Sequence, residues 1–240
     1  MYNFKFSNEV WSLIPARAGS KRIKNKNLKK IGKFTLVAHA IRIAKKTKYI
    51  DRIFVSTDSI HIKKESNIYN AEVPFLRSKK ASSDTANDYE VLKEFLIKIY
   101  KTEKKFPKFI ILLRPTTPLR NRNIIDKAIM KFKKLKDYDS LISVHEMNEP
   151  VHKKFFINKD KLKPVISSQS VDAANNPSQS FPKSYTANGY LDIIKTKNIF
   201  EKKYLGKKCF PFIVQRTIDI DDKTDLFIAN YLNSKKLINV

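Results

Sequence analysis

Residues 108–115, KFIILLRP, carry apolar side chains at nearly every position. The FIILL core of this run (109–113) is far too short to cross a bilayer. It also lacks the alternation of a strand with one wet face. Such a run suits a central strand covered on both sides, the arrangement of a parallel sheet between helical layers.

The surrounding sequence supplies those layers. EVWSLIP (9–15), DRIFVSTD (51–58), AEVPFL (71–76) and SLISVHE (140–146) read as strands. FTLVAHAIRIAKKTK (34–48), SIHIKKESNIYN (59–70) and NIIDKAIMKFKKL (123–135) carry apolar residues at helical spacing. Another amphipathic helix is expected over 84–105, with Ser83 and Asp84 as N-caps. Strands alternating with helices imply right-handed crossovers and a mostly parallel sheet. At 240 residues a single α/β domain is expected over 1–240. Residues 147–195 break the rhythm with four prolines and many Asn, Ser and Gln residues, and read as an irregular arm that is a candidate subunit contact. CFPFIV (209–214) and TIDID (217–221) read as strands, and DDKTDLFIANYLN (221–233) as an acid-started last helix.

The composition narrows the function classes. Hydrophobic residues make up 42% of the chain, which excludes a disordered polymer. The net charge is +26, a balance often found in nucleic-acid or membrane binders. Here most of it is lysine scattered along the chain, without the clustered arginines and interleaved aromatics of a nucleic-acid surface. The charge fits a solvated surface that also attracts an anionic substrate. Neither a nucleic acid nor a membrane is expected as a partner. Cys209 is the single cysteine; it allows no internal disulfide or cysteine zinc site and fits a reducing cytoplasm. MYNFKFSNEVWSLIPARAG has no basic head followed by a long apolar core, so no signal peptide is expected there. The histidines are not spaced as metal ligands.

In parallel sheets the ligand lies beyond the carboxyl ends of the strands, which directs attention to ARAGSK, STD and RPTTPLR. The first of these exits continues as a loop with Arg17, Ser20, Lys21, Lys26 and Asn27. It has neither P-loop nor G-x-G-x-x-G spacing. By itself it is either a loop that aims backbone N–H groups and cations at a phosphate or a solvated basic loop. Asp58 reads as a turn or N-cap residue. Asp219 and Asp221 share a face if their segment is a strand. Two adjacent carboxylates repel unless one is protonated or a cation lies between them; a hard divalent ion is the natural solution. Asp222 and Asp225 suit the positive end of a helix.

IPARAGSKRIKNKN (14–27) resembles the first motif of the acylneuraminate cytidylyltransferase family, (I/L)-x-A-R-x-x-S-K-x-x-x-x-K-N. DRIFVSTDS, EVPFLR with SSDTA, LLRPTTPLR, FPKSYTANGYLDII and TIDIDDKTDLFIANYL are similar to its later motifs, in order, over nearly the whole chain. The resemblance implies a Rossmann-like three-layer α/β/α sandwich of nucleotidyltransferase type. It implies transfer of CMP from CTP to a nonulosonic acid, a nine-carbon 2-keto sugar acid, with release of pyrophosphate, for surface glycan synthesis. The alternatives are GTP as donor or Kdo as acceptor; a basic nucleic-acid-binding module is the reading from a different class.

The resemblance also assigns roles. Ala16, Arg17, Ser20, Lys21, Lys26 and Asn27 would bind nucleotide, with Arg17 and Lys21 on the triphosphate. Arg77, Ala86 and Asp88 would face the base; the Asp88 carboxylate suits a cytosine amino group but also a guanine edge. Asn188 and Gly189 would bind the sugar. Asp219 and Asp221 would hold Mg²⁺ and, with Arg17 and Lys21, carry catalysis. The family arginine that contacts the acid sugar aligns with Ser178, and Arg114 or Lys183 is expected to compensate. Ala18 and Arg22 replace common glycines, and Lys24 replaces a common proline. A homodimer through 147–195 is expected from the same resemblance.

Overall fold

The computed structural model describes residues 5–235. Its frame is a six-stranded sheet. In chain order the strands are β1 (Trp11–Pro15), β2 (Arg52–Ser56), β3 (Phe109–Leu112) and β4 (Ser140–Glu146). A small hairpin of β5 (Phe155–Asn158) and β6 (Lys161–Pro164) lies outside it, and β7 (Tyr185–Lys195) and β8 (Cys209–Ile213) complete it. The spatial order is β8-β4-β7-β3-β1-β2. All neighbours are parallel except at β7, which runs antiparallel to both β3 and β4.

The helices are α1 (Leu36–Lys46), α2 (Ile60–Ile68), α3 (Asp88–Glu103), α4 (Arg122–Lys134), α5 (Thr196–Phe200) and α6 (Lys223–Ser234). Alternation along each strand sends neighbouring side chains to opposite layers. Ile14, Val55, Ile111 and Ile193 pack with α1, α2 and α4 residues such as Ile41, Ile62 and Ile129. Leu13, Phe54, Ile110 and Ile194 pack with Leu92, Phe95 and Leu96 of α3 and Ile199 of α5. The result is the expected three-layer sandwich, and every core strand is apolar on both faces because both faces are covered. A third, smaller cluster joins Ile23, Ile31, Leu119, Ile220 and Ala229, seating α6 beside the first loop. No helix among the described residues is long and apolar enough to cross a membrane.

Several boundaries differ from the sequence reading. Residues 71–76 form no strand; only Glu72 bridges, to Phe54, and Pro74 has no N–H to extend a ladder. The third helix begins at Asp88, capped by Asn87 with Glu90 closing a capping box, so Ser83 and Asp84 are not its caps. TIDID is not a strand: Ile220 donates its N–H to Thr116 at 2.8 Å and turns into the core, while Asp219 and Asp221 are exposed. The arm is shorter than 147–195, because residues 185–195 are the antiparallel strand in the middle of the sheet. A register shift between Ala187 and Asp192 bends that strand where Gly189 has φ +66°. Its polar first half hides a strand whose second half, from Tyr190 to Ile194, is buried.

Candidate active site

The loop leaving β1, the end of β4, the bend of β7 and the segment after β8 line two clefts. One, of about 340 Å³, is lined by Arg17, Ser20, Lys21, Arg22, Lys26, Asp84 and Asp221. The loop that forms it is braced from below. Asn27 Nδ2 donates to the Arg17 carbonyl at 2.8 Å, and Asp58 accepts the Ala18 N–H at 2.8 Å. Ala16 is buried and donates its N–H to Ser56. Asn27 and Ala16 therefore shape the loop. Lys26 Nζ reaches the Ile220 carbonyl at 2.7 Å and Asp221 at 3.3 Å, tying the first loop to the segment before α6.

Within this cleft Asp84 neutralises the two cations assigned to phosphate. Its carboxylate lies 2.7 Å from Arg17 and 2.7 Å from Lys21. Lys21 and then Arg17, both hydrogen-bonded to it, hold the Asp84 carboxyl below its ordinary range. Nothing in the sequence marks Asp84 as their counterion beyond its place in SSDTA. An incoming anion must replace it.

The larger cleft, about 720 Å³, contains Asn188, Asp219, His145, Arg216 and Thr217. Asn188 is buried. Its Oδ1 accepts from Ser143 Oγ at 2.6 Å and from the Tyr190 N–H at 3.1 Å. That fixes the amide, and Nδ2 is left without a partner among the described residues. Its two N–H donors lie buried in the cleft wall, where they call for a hydroxyl, carbonyl or carboxylate oxygen. His145 Nδ1 and Thr217 Oγ1 are buried in the same cleft wall and also unpartnered. Gly189 is explained by the fold: its φ is positive, and a Cβ would lie 3.0 Å from Thr117 Oγ1.

Asp219 and Asp221 flank the buried Ile220 and face different clefts, so this segment is the wall between them. Asp219 accepts a long bond from Thr117 at 3.4 Å; Asp221 lies 3.6 Å from Arg22. Among the described residues no group of three acidic, His or Cys side chains forms a metal cage. The two carboxylates line different clefts instead of the shared face expected of a strand, because the segment joins no ladder; each is exposed, and Mg²⁺ needs only one or two protein carboxylates, with phosphate oxygens and water completing its shell. Asp222 caps α6, and Asp225 accepts the N–H groups of Asp221 and Asp222, both as the helix-start reading expects.

Four expected ligands are otherwise engaged. Arg114 bonds Asp88 through Nε at 3.2 Å and NH2 at 2.5 Å, and Asp192 through NH2 at 2.6 Å. Burial opposes its charge, but Asp192 and Asp88 outweigh burial and raise its pKa well above the usual value. Tyr204 donates to Asp192 at 2.8 Å; burial and then Asp192 push its phenol up. Arg114 is thus not a free partner for a sugar carboxylate, and Asp88 is not a free acceptor for a base. Lys183 pairs with Glu146 at 2.9 Å, outside the cleft of Asn188. Arg77 is buried, with Nε 3.0 Å from Ser56 Oγ and NH2 on the Ser56 carbonyl; burial lowers its pKa to about 10. Ala86 is half-buried between Asp84 and Asp88.

Sequence reasoning missed Arg120. It is fully buried, donating from Nε to Tyr190 O at 2.6 Å and from NH2 to Arg114 O at 2.8 Å and Gly189 O at 3.0 Å. These hydrogen bonds all go to carbonyls, and burial brings its pKa down to about 9.

The chain matches the family model described as cytidylyltransferase over residues 11–231. It is 30% identical over 232 residues to post-translational flagellin modification protein B of Campylobacter coli, covering 95% of this chain and 97% of that one. It is 30% identical to the CMP-N,N'-diacetyllegionaminic acid synthase of Legionella pneumophila, covering 93% and 95%. Among solved structures, a CMP:2-keto-3-deoxy-manno-octonic acid synthetase complexed with CTP superposes with a TM-score of 0.68 at 15% identity, covering 95% and 99%.

Two outcomes test this geometry. Asp192→Ala leaves Arg114 paired with Asp88 alone and removes the acceptor of the Tyr204 hydroxyl. It is expected to cost about 1.5–3 kcal/mol, the scale of a hydrogen bond to a charged group, in urea unfolding; a loss near zero would show that Asp192 does not hold the cluster. Asp84→Asn frees Arg17 and Lys21 and is expected to tighten inorganic pyrophosphate binding by up to about fivefold, the scale of an exposed ion pair. Weaker binding in calorimetry would show that Asp84 assists the anion rather than competing with it.

Proposed function

The chain belongs to the cytidylyltransferase family of nucleotidyltransferases, and we propose that it transfers CMP from CTP to a nonulosonic acid, the activation step before a surface glycan is built. One juxtaposition carries the reading: a cationic cleft and a cleft of unpaired hydrogen-bond donors meet across residues 219–221. The first suits a triphosphate and the second a hydroxyl-rich acceptor. The activity for which the Legionella relative is named supports a nonulosonic acid as that acceptor. Kdo has less support, since the likeness to the enzyme acting on it is one of fold.

In the reaction, the anomeric hydroxyl oxygen bonds to the α-phosphorus, that phosphorus loses its bond to pyrophosphate, and the hydroxyl proton departs. Arg17 and Lys21 exchange Asp84 for the triphosphate and neutralise the charge that grows on the leaving pyrophosphate. Ser20 lines the same cleft and supplies a hydroxyl to a phosphate oxygen. Asn188 holds the acceptor through its amide N–H groups, already oriented by Ser143 and Tyr190, which lowers the cost of alignment. Asp219 and Asp221 would hold Mg²⁺, which supplies charge neutralisation on phosphate oxygens when bound. The cytidylyltransferase family supports CTP over GTP; Asp88, bonded through Oδ2 to Arg114, distinguishes neither base.

We also propose a homodimer through the arm. Ile157 and Leu162 lie opposite each other across the hairpin and are 79% and 51% exposed, and Phe156, on the other face, is 61% exposed, apolar surface unusual for open water. Sedimentation equilibrium is expected to give twice the chain mass; a monomer at working concentration removes this element of the reading.

The activity is tested by pyrophosphate release with CTP, GTP, UTP and ATP, each against nonulosonic acids and Kdo. Release with CTP and a nonulosonic acid is expected, with Lys21→Ala lowering kcat more than it raises the sugar KM. Release only with GTP or only with Kdo would replace the donor or the acceptor, and an unchanged kcat in Lys21→Ala would remove that residue from the chemistry.

A further inference from the structure

We infer that Arg216 reads the carboxylate of the acceptor sugar acid, an assignment that rests on the proposed function and supplies the cation missing from it. An acid acceptor needs a positive partner in the cleft that holds Asn188. The position expected for it is Ser178, in a short turn outside that cleft. Neither expected substitute serves: Arg114 is held by Asp88 and the buried Asp192, and Lys183 lies outside the cleft, on Glu146. Of the two cations lining the cleft, Lys154 is paired with Glu149. Arg216 is exposed and forms no ion pair among the described residues, although Asp219 and Asp225 line the same cleft.

Its placement is fixed while its side chain is free. On one side, the Val214 N–H donates to Val144 O at 2.9 Å, continuing the β8–β4 ladder. On the other, Ile218 packs on the cluster around Ile220. A short, anchored segment thus delivers the guanidinium to a wall that already contains three buried polar atoms without partners: Asn188 Nδ2, His145 Nδ1 and Thr217 Oγ1. A planar guanidinium matches a carboxylate through two parallel N–H···O bonds. The orphaned groups beside it suit the hydroxyls and carbonyl oxygens that surround a sugar acid's carboxylate.

The test compares the wild-type protein with Arg216→Met and Arg216→Lys in pyrophosphate release. The substrates are a nonulosonic acid turned over by the wild type and the amide of its carboxylate. Arg216→Met is expected to raise the KM for the acid by about ten- to a hundredfold, the range for a lost charged hydrogen bond, with the KM for CTP unchanged. The wild type should prefer acid to amide, and Arg216→Met should lose that preference. Arg216→Lys should fall between them, because a point charge lacks the fork. An unchanged KM for the acid, a retained preference over the amide, or a parallel rise in the KM for CTP would each overturn the assignment while the functional reading stands. A wild-type protein that turns over no sugar acid would overturn both.

Discussion

The insertion of one antiparallel strand into a parallel sheet sets the form of everything above it, and two arginines, Arg120 fully buried and Arg114 half-buried, hold that strand at the site end. Arg120 donates to the carbonyls of Arg114, Gly189 and Tyr190, joining the exit of β3 to the bend of β7. Arg114 then reaches Asp192 on β7 and Asp88 at the start of α3. An arginine suits this work because its planar fork offers several fixed donors where bent backbone leaves carbonyls without a ladder partner. The bend so held places Asn188 beside its cleft and leaves its amide with only one possible orientation.

The handling of charge follows from the same frame. A chain this basic would repel itself at a site where several cations meet, and each meeting is countered by a local carboxylate. Asp84 serves Arg17 and Lys21, and Asp221 serves Lys26 and Arg22. These pairs are exposed, so water and salt weaken them and an anionic ligand can replace the carboxylate at little cost. The Arg114 pairs are shielded and do not exchange so readily. Burial of the carboxylate thus separates cations that can take a ligand, on the exposed Asp84 and Asp221, from the scaffold cation on the buried Asp192, although both kinds were candidates by residue type.

That separation also marks the limit of the sequence reading. The periodicities of KFIILLRP, FTLVAHAIRIAKKTK and NIIDKAIMKFKKL located strands and helices correctly because each faces a covered layer and its apolar pattern is local. SYTANGYLDII was misread as part of an irregular arm: its first half is polar and its bend needs a glycine, so no single period runs through it. TIDID kept its alternation, with Ile220 inward and the aspartates outward, yet joined no strand ladder.

The order of apolar runs by itself determined the layered α/β fold, the mostly parallel sheet and the strand exits where a ligand site must lie, since burial on two faces admits few other arrangements. The motif spacing likewise brought Arg17, Ser20, Lys21, Lys26 and Asp221 to one cleft. Only the tertiary structure decided which polar residues remain available to a ligand. Arg114 and Asp88 consume each other across 26 residues, Asp192 joins them from a distant strand, and Asn188 and Arg216 are left facing a shared cleft. Pairing of this kind depends on distances between segments far apart in the chain, which local pattern does not encode.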